Sequence, residues 1–152
     1  SLLVDGRGVI LAADPNAEFA GICQGKQIGK ILNDSANIIG IYKERLYLYG
    51  TPWCSPEAVQ AERAPLGGIV FLKKSDAGAV TDLPEDKRQL LMLVHCKSPF
   101  WREGLLDQCL NTIQRVEPSV WIRQLESHAD EAAADVLKPA LDTIENDTVA
   151  EY

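Results

Sequence analysis

The stretch GVILAADPNAEFAG, Gly8 to Gly21, decides how this chain is read. Its apolar run ends where Asp14 offers a side-chain oxygen as a helix N-cap, and Pro15 takes the first helical position. A strand passing directly into a helix start is the geometry that nucleotide-binding folds use to hold phosphates. The first amides of a helix lack intrahelical acceptors, and its dipole is positive at that end. Yet the glycines, the lysine and the hydroxyl that do the holding in such folds are absent here. The stretch is either a phosphate site or the place where one used to be.

The rest of the chain sets the frame for that question. With 152 residues, 46% of them hydrophobic and 24% charged, the sequence is that of one globular domain with a substantial core. Residues 1–144 are read as that domain and 145–152 as an acidic, frayed tail. A net charge of −7 disfavours nonspecific attraction to nucleic acid and to anionic membranes. No signal peptide is read at the start, and no apolar run approaches the roughly 20 residues needed to span a bilayer. Ser1 precedes the first strand without a methionine, which leaves upstream residues open. The expected location is cytoplasmic.

The four cysteines, Cys23, Cys54, Cys96 and Cys109, form no C-x-x-C pair. Neither His95 nor His128 stands at zinc-finger spacing from such a pair, so no metal site is expected. Buried thiols in a reducing compartment are the expectation.

The first half reads as strands with one helix. SLLVD and GVILAA flank a Gly6-Arg7 turn, and the helix opened at Asp14 ends near Gly25 or Gly29. Strands follow at Lys30, Ala36 and Arg45, the last two joined by a Lys43-Glu44 turn. TPWCSPEAVQAERAP is expected to be an irregular loop before the buried strand LGGIVFLKK, and SDAGAV a turn. The second half is mainly helical. Asp82 with Glu85 opens one helix, Ser98-Pro99 a second, and Ser127 with Asp130 a third, which Pro139 kinks or ends. Leu105, Leu106, Cys109, Leu110 and Ile113 share a face of the second helix, and VWIRQL is a strand. The fold class is therefore α/β, a mixed twisted sheet with flanking helices.

Several motifs occur in a telling order: LND at Leu32, YGTPWC at Tyr49, ERAPL at Glu62 and the apolar strand after it, then KSPFWREGLLDQCLNTIQRV at Lys97. Together they resemble bacterial proteins related to HPr kinase, which share the phosphoenolpyruvate carboxykinase-like, P-loop-type fold. The resemblance covers about Leu3 to Leu141. It implies a scaffold that binds ATP and transfers its γ-phosphate, with the phosphate loop matching Ala12 to Ala20. At those positions stand Ala13, Asp14, Pro15, Asn16, Ala17 and Glu18. The Asp14 carboxylate would occupy the end of the helix where a triphosphate would sit, Glu18 adds a like charge, and Pro15 removes an amide. Loss of ATP and magnesium binding is expected, with no cofactor and no metal. GICQGKQ at Gly21 looks like a Walker A fragment, but Ala20 and Gln27 stand where glycine and a hydroxyl are required; a helix C-terminus explains it better.

Other positions match by resemblance. Asp34 falls where relatives carry an acid that handles magnesium or the accepting hydroxyl, with Ser35 replacing the second acid. Arg63 falls where a guanidinium could contact phosphate, and otherwise would pair with Glu62 or Glu57. Thr51 and Trp53 belong to the GTPW turn and would wall a cleft. His95 is read as capping helix carbonyls, His128 as lacking an acid partner, and Trp101 and Trp121 as core anchors. No catalytic residue is expected. The leading functional expectation is a catalytically degenerate HPr-kinase-like domain acting as a protein- or peptide-binding or scaffolding module. Homo-oligomerisation stays open. The alternatives are an active ATP-dependent phosphotransferase using Asp34 and Arg63, and a small-molecule sensor using the vacated cleft.

Overall fold

The computed structural model describes residues 1–4, 6–12, 16–32, 37–51, 62–96, 101–128 and 130–144, with the backbone alone at 16–18 and 20. β1 (Leu2–Val4) and β2 (Arg7–Ala12) form the antiparallel hairpin that the two apolar runs predict. The pair closes at Val4 opposite Arg7, so Arg7 belongs to the strand and not to the turn. Gly6 holds φ +80°, which a residue with a Cβ adopts only at a cost.

β6 (Arg63–Lys73) organises the sheet. It runs parallel to β2, with Val9–Ala12 opposite Gly68–Phe71, and parallel to β8 (Trp121–Glu126), with Gly68–Lys73 opposite that whole strand. β3 (Lys30–Ile31) lies beyond β1, and β7 (Ala79–Asp82) lies antiparallel beyond β8. The N-terminal end of β6 pairs instead with β5 (Arg45–Tyr49), which pairs with β4 (Ile38–Tyr42). The result is an open mixed sheet of eight strands among the described residues. Gly68 lies opposite Trp121, where a Cβ would come within 2.9 Å of the indole, so the glycine makes room for that ring.

Side chains alternate across the strands and so divide the core in two. Val9, Leu11, Val70 and Leu125 face α1 (Asn16–Gly25) and α4 (Glu131–Asp142), through Phe19, Cys23, Ala133, Ala134, Leu137 and Leu141. Ile10, Ala12, Ile69, Phe71 and Ile122 face the other way, toward Leu91 and Met92 of α2 (Glu85–His95). α3 (Leu105–Val116) packs on α2. The β2-to-β6 connection thus leaves through α1 on one face, and the β6-to-β8 connection leaves through α2 and α3 on the other.

Several local expectations are corrected. Asp82 is a strand residue paired with Arg123 at 2.7 Å, and the α2 N-cap is Pro84. Ala79 and Val80, expected in a turn, belong to β7, because Val80 can bury itself against the α1–α4 side of the core. β6 begins at Arg63, three residues before the expected Leu66, since β5 supplies it with a ladder partner. α3 begins only at Leu105, after a left-handed Gly104 at φ +87°; Ser98 and Pro99 lie outside the described residues. Leu106, expected on the buried face, is exposed, while Ile113 and Val116 are buried. The α4 N-cap is Asp130, which accepts from Ala133 N at 3.0 Å, and not Ser127, whose backbone N–H is committed to Lys73 O. Pro139 does not end α4, which continues to Asp142.

Other readings hold. The β4–β5 turn is Lys43-Glu44, with φ +50° and +64°, a left-handed pair that costs about 1 kcal/mol or more per residue. α1 ends at Gly25, and Lys26 after it is held by Asp135 of α4 at 2.9 Å, a hydrogen bond that raises the ammonium pKa. That lysine closes a helix–helix contact.

Cys23 lies fully inside the α1–α4 core, and burial pushes its thiol up from 9.0 to about 11. In the unfolded chain the thiol ionises near its ordinary value. Its contribution is therefore complete below pH 9 and is lost as the pH rises to 11. Urea titrations of the wild type should show up to about 3 kcal/mol of stability disappearing across that window. Cys23→Ala should remove this component of the slope; an unchanged slope would refute the assignment.

Candidate functional site

Adjacent parallel strands whose connections leave to opposite faces create a crevice at their C-terminal ends, where open α/β sheets bind ligands. Here that point lies between the ends of β2 and β6, where α1 begins. Ala13, Asp14 and Pro15 lie outside the described residues; Asn16, Ala17 and Glu18 form the first turn of α1. The topology thus puts the α1 start where a phosphate loop would be expected.

Arg63 is not part of that point. Ala12 pairs with Phe71, and Arg63 lies eight residues earlier on the same extended strand. At about 3.3 Å per residue, the two ends are separated by roughly 25 Å. No arginine side chain spans that distance. Arg63 also makes no ion pair with Glu62, whose carboxylate lies 3.7 Å from Lys30 Nζ. Thr51, buried just after β5, stands at the Arg63 end of the sheet, where Gly50 N donates to Glu62 O at 2.8 Å. Asp34, Trp53 and Glu57 lie outside the described residues.

What Arg63 does instead defines a second place. In the β4–β5–β6 sheet, directly opposed residues share a face. Tyr42 with Arg45, Gly40 with Tyr47, Ile38 with Tyr49, Tyr49 with Arg63 and Tyr47 with Pro65 are all opposed. These residues form one surface, while Ile39, Leu46 and Leu48 pack inward on the other. The Arg63 guanidinium lies 4.6 Å from the Tyr47 ring centre and 5.4 Å from that of Tyr42. Lys43 Nζ lies 5.4 Å from Tyr42, and the two tyrosine rings meet edge to face at 6.5 Å. Gly40 leaves the gap that the Tyr49 ring fills. Tyr42 is 48% exposed and Ile38 45%, so apolar surface and fixed cations face solvent together.

This cluster presents a fixed guanidinium beside aromatic and apolar surface. A cation over an aromatic face contributes about 0.5–1 kcal/mol at an exposed site, enough to hold the guanidinium in place. Among the described residues β4 is hydrogen-bonded to β5 alone, so it is the edge strand of the described sheet.

Two histidines lie elsewhere on the surface. His95 donates from Nδ1 to Leu91 O at 2.9 Å, the carbonyl-capping role read from sequence. His128 does have an acid partner: its Nε2 donates to Asp76 at 2.6 Å, across 52 residues of sequence that hide the pair. Both are exposed, and His128 follows β8 as Asp76 follows β6. Among the described residues no group of three or more metal-ligating side chains occurs.

The sequence pointed to Arg63 but not to its company. Arg45, Tyr47 and Tyr49 could have been found from the alternation of RLYLY, which puts all three on one side, whereas Tyr42 comes to them from β4 across the turn. No family model, no curated protein and no solved structure matches this chain.

Proposed function

We propose that the chain is a non-catalytic protein- or peptide-binding module that docks its partner on the Tyr42–Tyr47–Arg63 face. The carrying observation is the guanidinium of Arg63 stacked over the half-buried Tyr47 and the exposed Tyr42, beside β4, which among the described residues pairs with β5 alone. Tyrosine and arginine dominate binding hot spots; tyrosine gives large contact area with little conformational freedom to lose, and the Arg63 guanidinium is already held over the rings. The cations Lys43 and Arg63 stand out from a chain of net charge −7. They suit a peptide segment carrying a carboxylate among apolar side chains. The module is read as a degenerate HPr-kinase-like domain, in which Asp14 and Pro15 have replaced phosphate-binding groups. The 25 Å between Arg63 and the α1 start counts against an active phosphotransferase built on both.

The test is selection of a random-peptide phage library on the immobilised full chain, followed by calorimetry of the enriched peptides. Arg63→Ala and Tyr47→Ala should each weaken binding by about 2 kcal/mol, roughly thirtyfold, with little change in melting temperature. Mg-ATP should leave the melting temperature where it is. Peptides that bind both variants as tightly as the wild type would sink the proposed face. A rise in melting temperature with Mg-ATP would instead support the phosphotransferase alternative.

A further inference from the structure

We propose that Cys96 and Cys109 form a reversible dithiol–disulfide site that couples the α2–α3 corner to oxidant. Cys96 is the C-cap of α2 and Cys109 lies in the second turn of α3. Their Sγ atoms are 3.2 Å apart, inside ordinary van der Waals separation for two sulfurs. In the reduced state one thiol can donate a hydrogen bond to the other. A disulfide needs about 2.05 Å, so closing the pair moves the sulfurs together by only about 1 Å. Both side chains are partly exposed, which gives a small oxidant access. Cys23 is sealed in the core on the opposite face of the sheet, with its thiol pushed up to about 11. It is therefore silent under the same conditions.

The oxidant is a hydroperoxide. One thiolate attacks its O–O bond, forming a sulfenic acid and releasing an alcohol, or water when the oxidant is hydrogen peroxide. The second thiol then attacks the sulfenic sulfur, forming the S–S bond and expelling water. Two thiols surrender two electrons and two protons in total, and the peroxide oxygen takes them up. Return to the dithiol proceeds by exchange with a small thiol through a mixed disulfide.

The bond would join two helices whose mutual packing is otherwise modest. α2 contains no fully buried residue, and Leu90 and Val94 on it are exposed. The chain between the sulfurs carries Trp101, which is 84% exposed and not the core anchor expected from sequence. Oxidation would close a loop of about 14 residues around that tryptophan and hold α2 against α3. The inference stands independently of the proposed peptide-binding face, which uses β4, β5 and β6.

The experiment treats the full chain with hydrogen peroxide or tert-butyl hydroperoxide and maps peptides without reduction. Expected is an intramolecular peptide joining Cys96 to Cys109, lighter by two hydrogens and restored by dithiothreitol. Closing a loop of this length should raise the melting temperature by about 5–10 °C. Cys96→Ser and Cys109→Ser should each abolish the cross-link and the shift, whereas the Cys23→Ser/Cys54→Ser double variant should keep both. Mapping of the wild type is decisive even if a serine variant folds poorly. Retention of both thiols, oxidation to sulfinic acid, or cross-links only between chains would overturn the proposal.

Discussion

Phe19→Ala should destabilise the protein by about 3–5 kcal/mol, read as a lower urea midpoint at unchanged slope. Phe19 is fully buried and projects from α1 into the cluster formed by Val9, Leu11 and Val70 on the sheet and Leu137 and Leu141 on α4. Removing the ring forfeits its transfer free energy and leaves a cavity that helices on both sides cannot fill without moving. Domains of this kind have about 5–15 kcal/mol of stability in total, so the variant should lie near the edge of folding at 37 °C. Phe19→Leu keeps most of the volume and should cost much less, about 1–2 kcal/mol. Equal losses for the two variants would mean that α1 is not seated as described. The outcome bears on function as well, because Phe19 anchors the helix whose first turn stands at the C-terminal edge of β2 and β6.

Arg88→Ala should cost about 3 kcal/mol, an unusual amount for a residue that is partly exposed. Its Nε lies 2.6 Å from Glu117 Oε1, and Glu117 is 3% exposed, in the short 3-10 turn (Glu117–Ser119) after α3. The N–H is not aligned on the oxygen, so the pair is held by charge at close range more than by an ideal hydrogen bond. Truncating the arginine leaves a carboxylate in the interior with its partner gone, and that desolvated charge sets the cost. Arg88→Met combined with Glu117→Leu should recover most of the loss, since two apolar side chains need no partner. Thermal melts of Arg88→Met, Glu117→Leu and the double variant close the cycle. If Arg88→Ala alone is neutral, the carboxylate has found water or another donor, and α2 owes its position to Leu91 and Met92.

The pair also explains how a helix with no fully buried residue keeps its place. α2 meets the sheet through a narrow apolar strip and meets the α3–β8 junction through Arg88. Cys96 at its end and Cys109 opposite extend the same seam. A bond between those sulfurs would therefore reinforce the least buried of the helices flanking the sheet.

Local chemistry was legible directly. Apolar runs bounded by turn residues located β1, β2, β4, β5 and β8, and Gly25 located the end of α1, because strand alternation and helix termination depend on a few neighbouring residues. The mixed α/β architecture followed from the order of those elements. Capping was less legible, since Asp82, Ser127 and Asp130 all look like caps in isolation. Only the β7–β8 ladder and the Arg123 partner decide that Asp82 is a strand residue.

Juxtaposition across the fold belonged to the tertiary structure alone. Arg63 and the start of α1 look like members of one site in the sequence, but an extended strand holds them about 25 Å apart. His128 and Asp76, Arg88 and Glu117, and Cys96 and Cys109 become neighbours only when β6, β8 and the helices between them pack. The physical reason is the same in each case: periodicity records which face a residue takes, whereas its partner is chosen by where the chain returns.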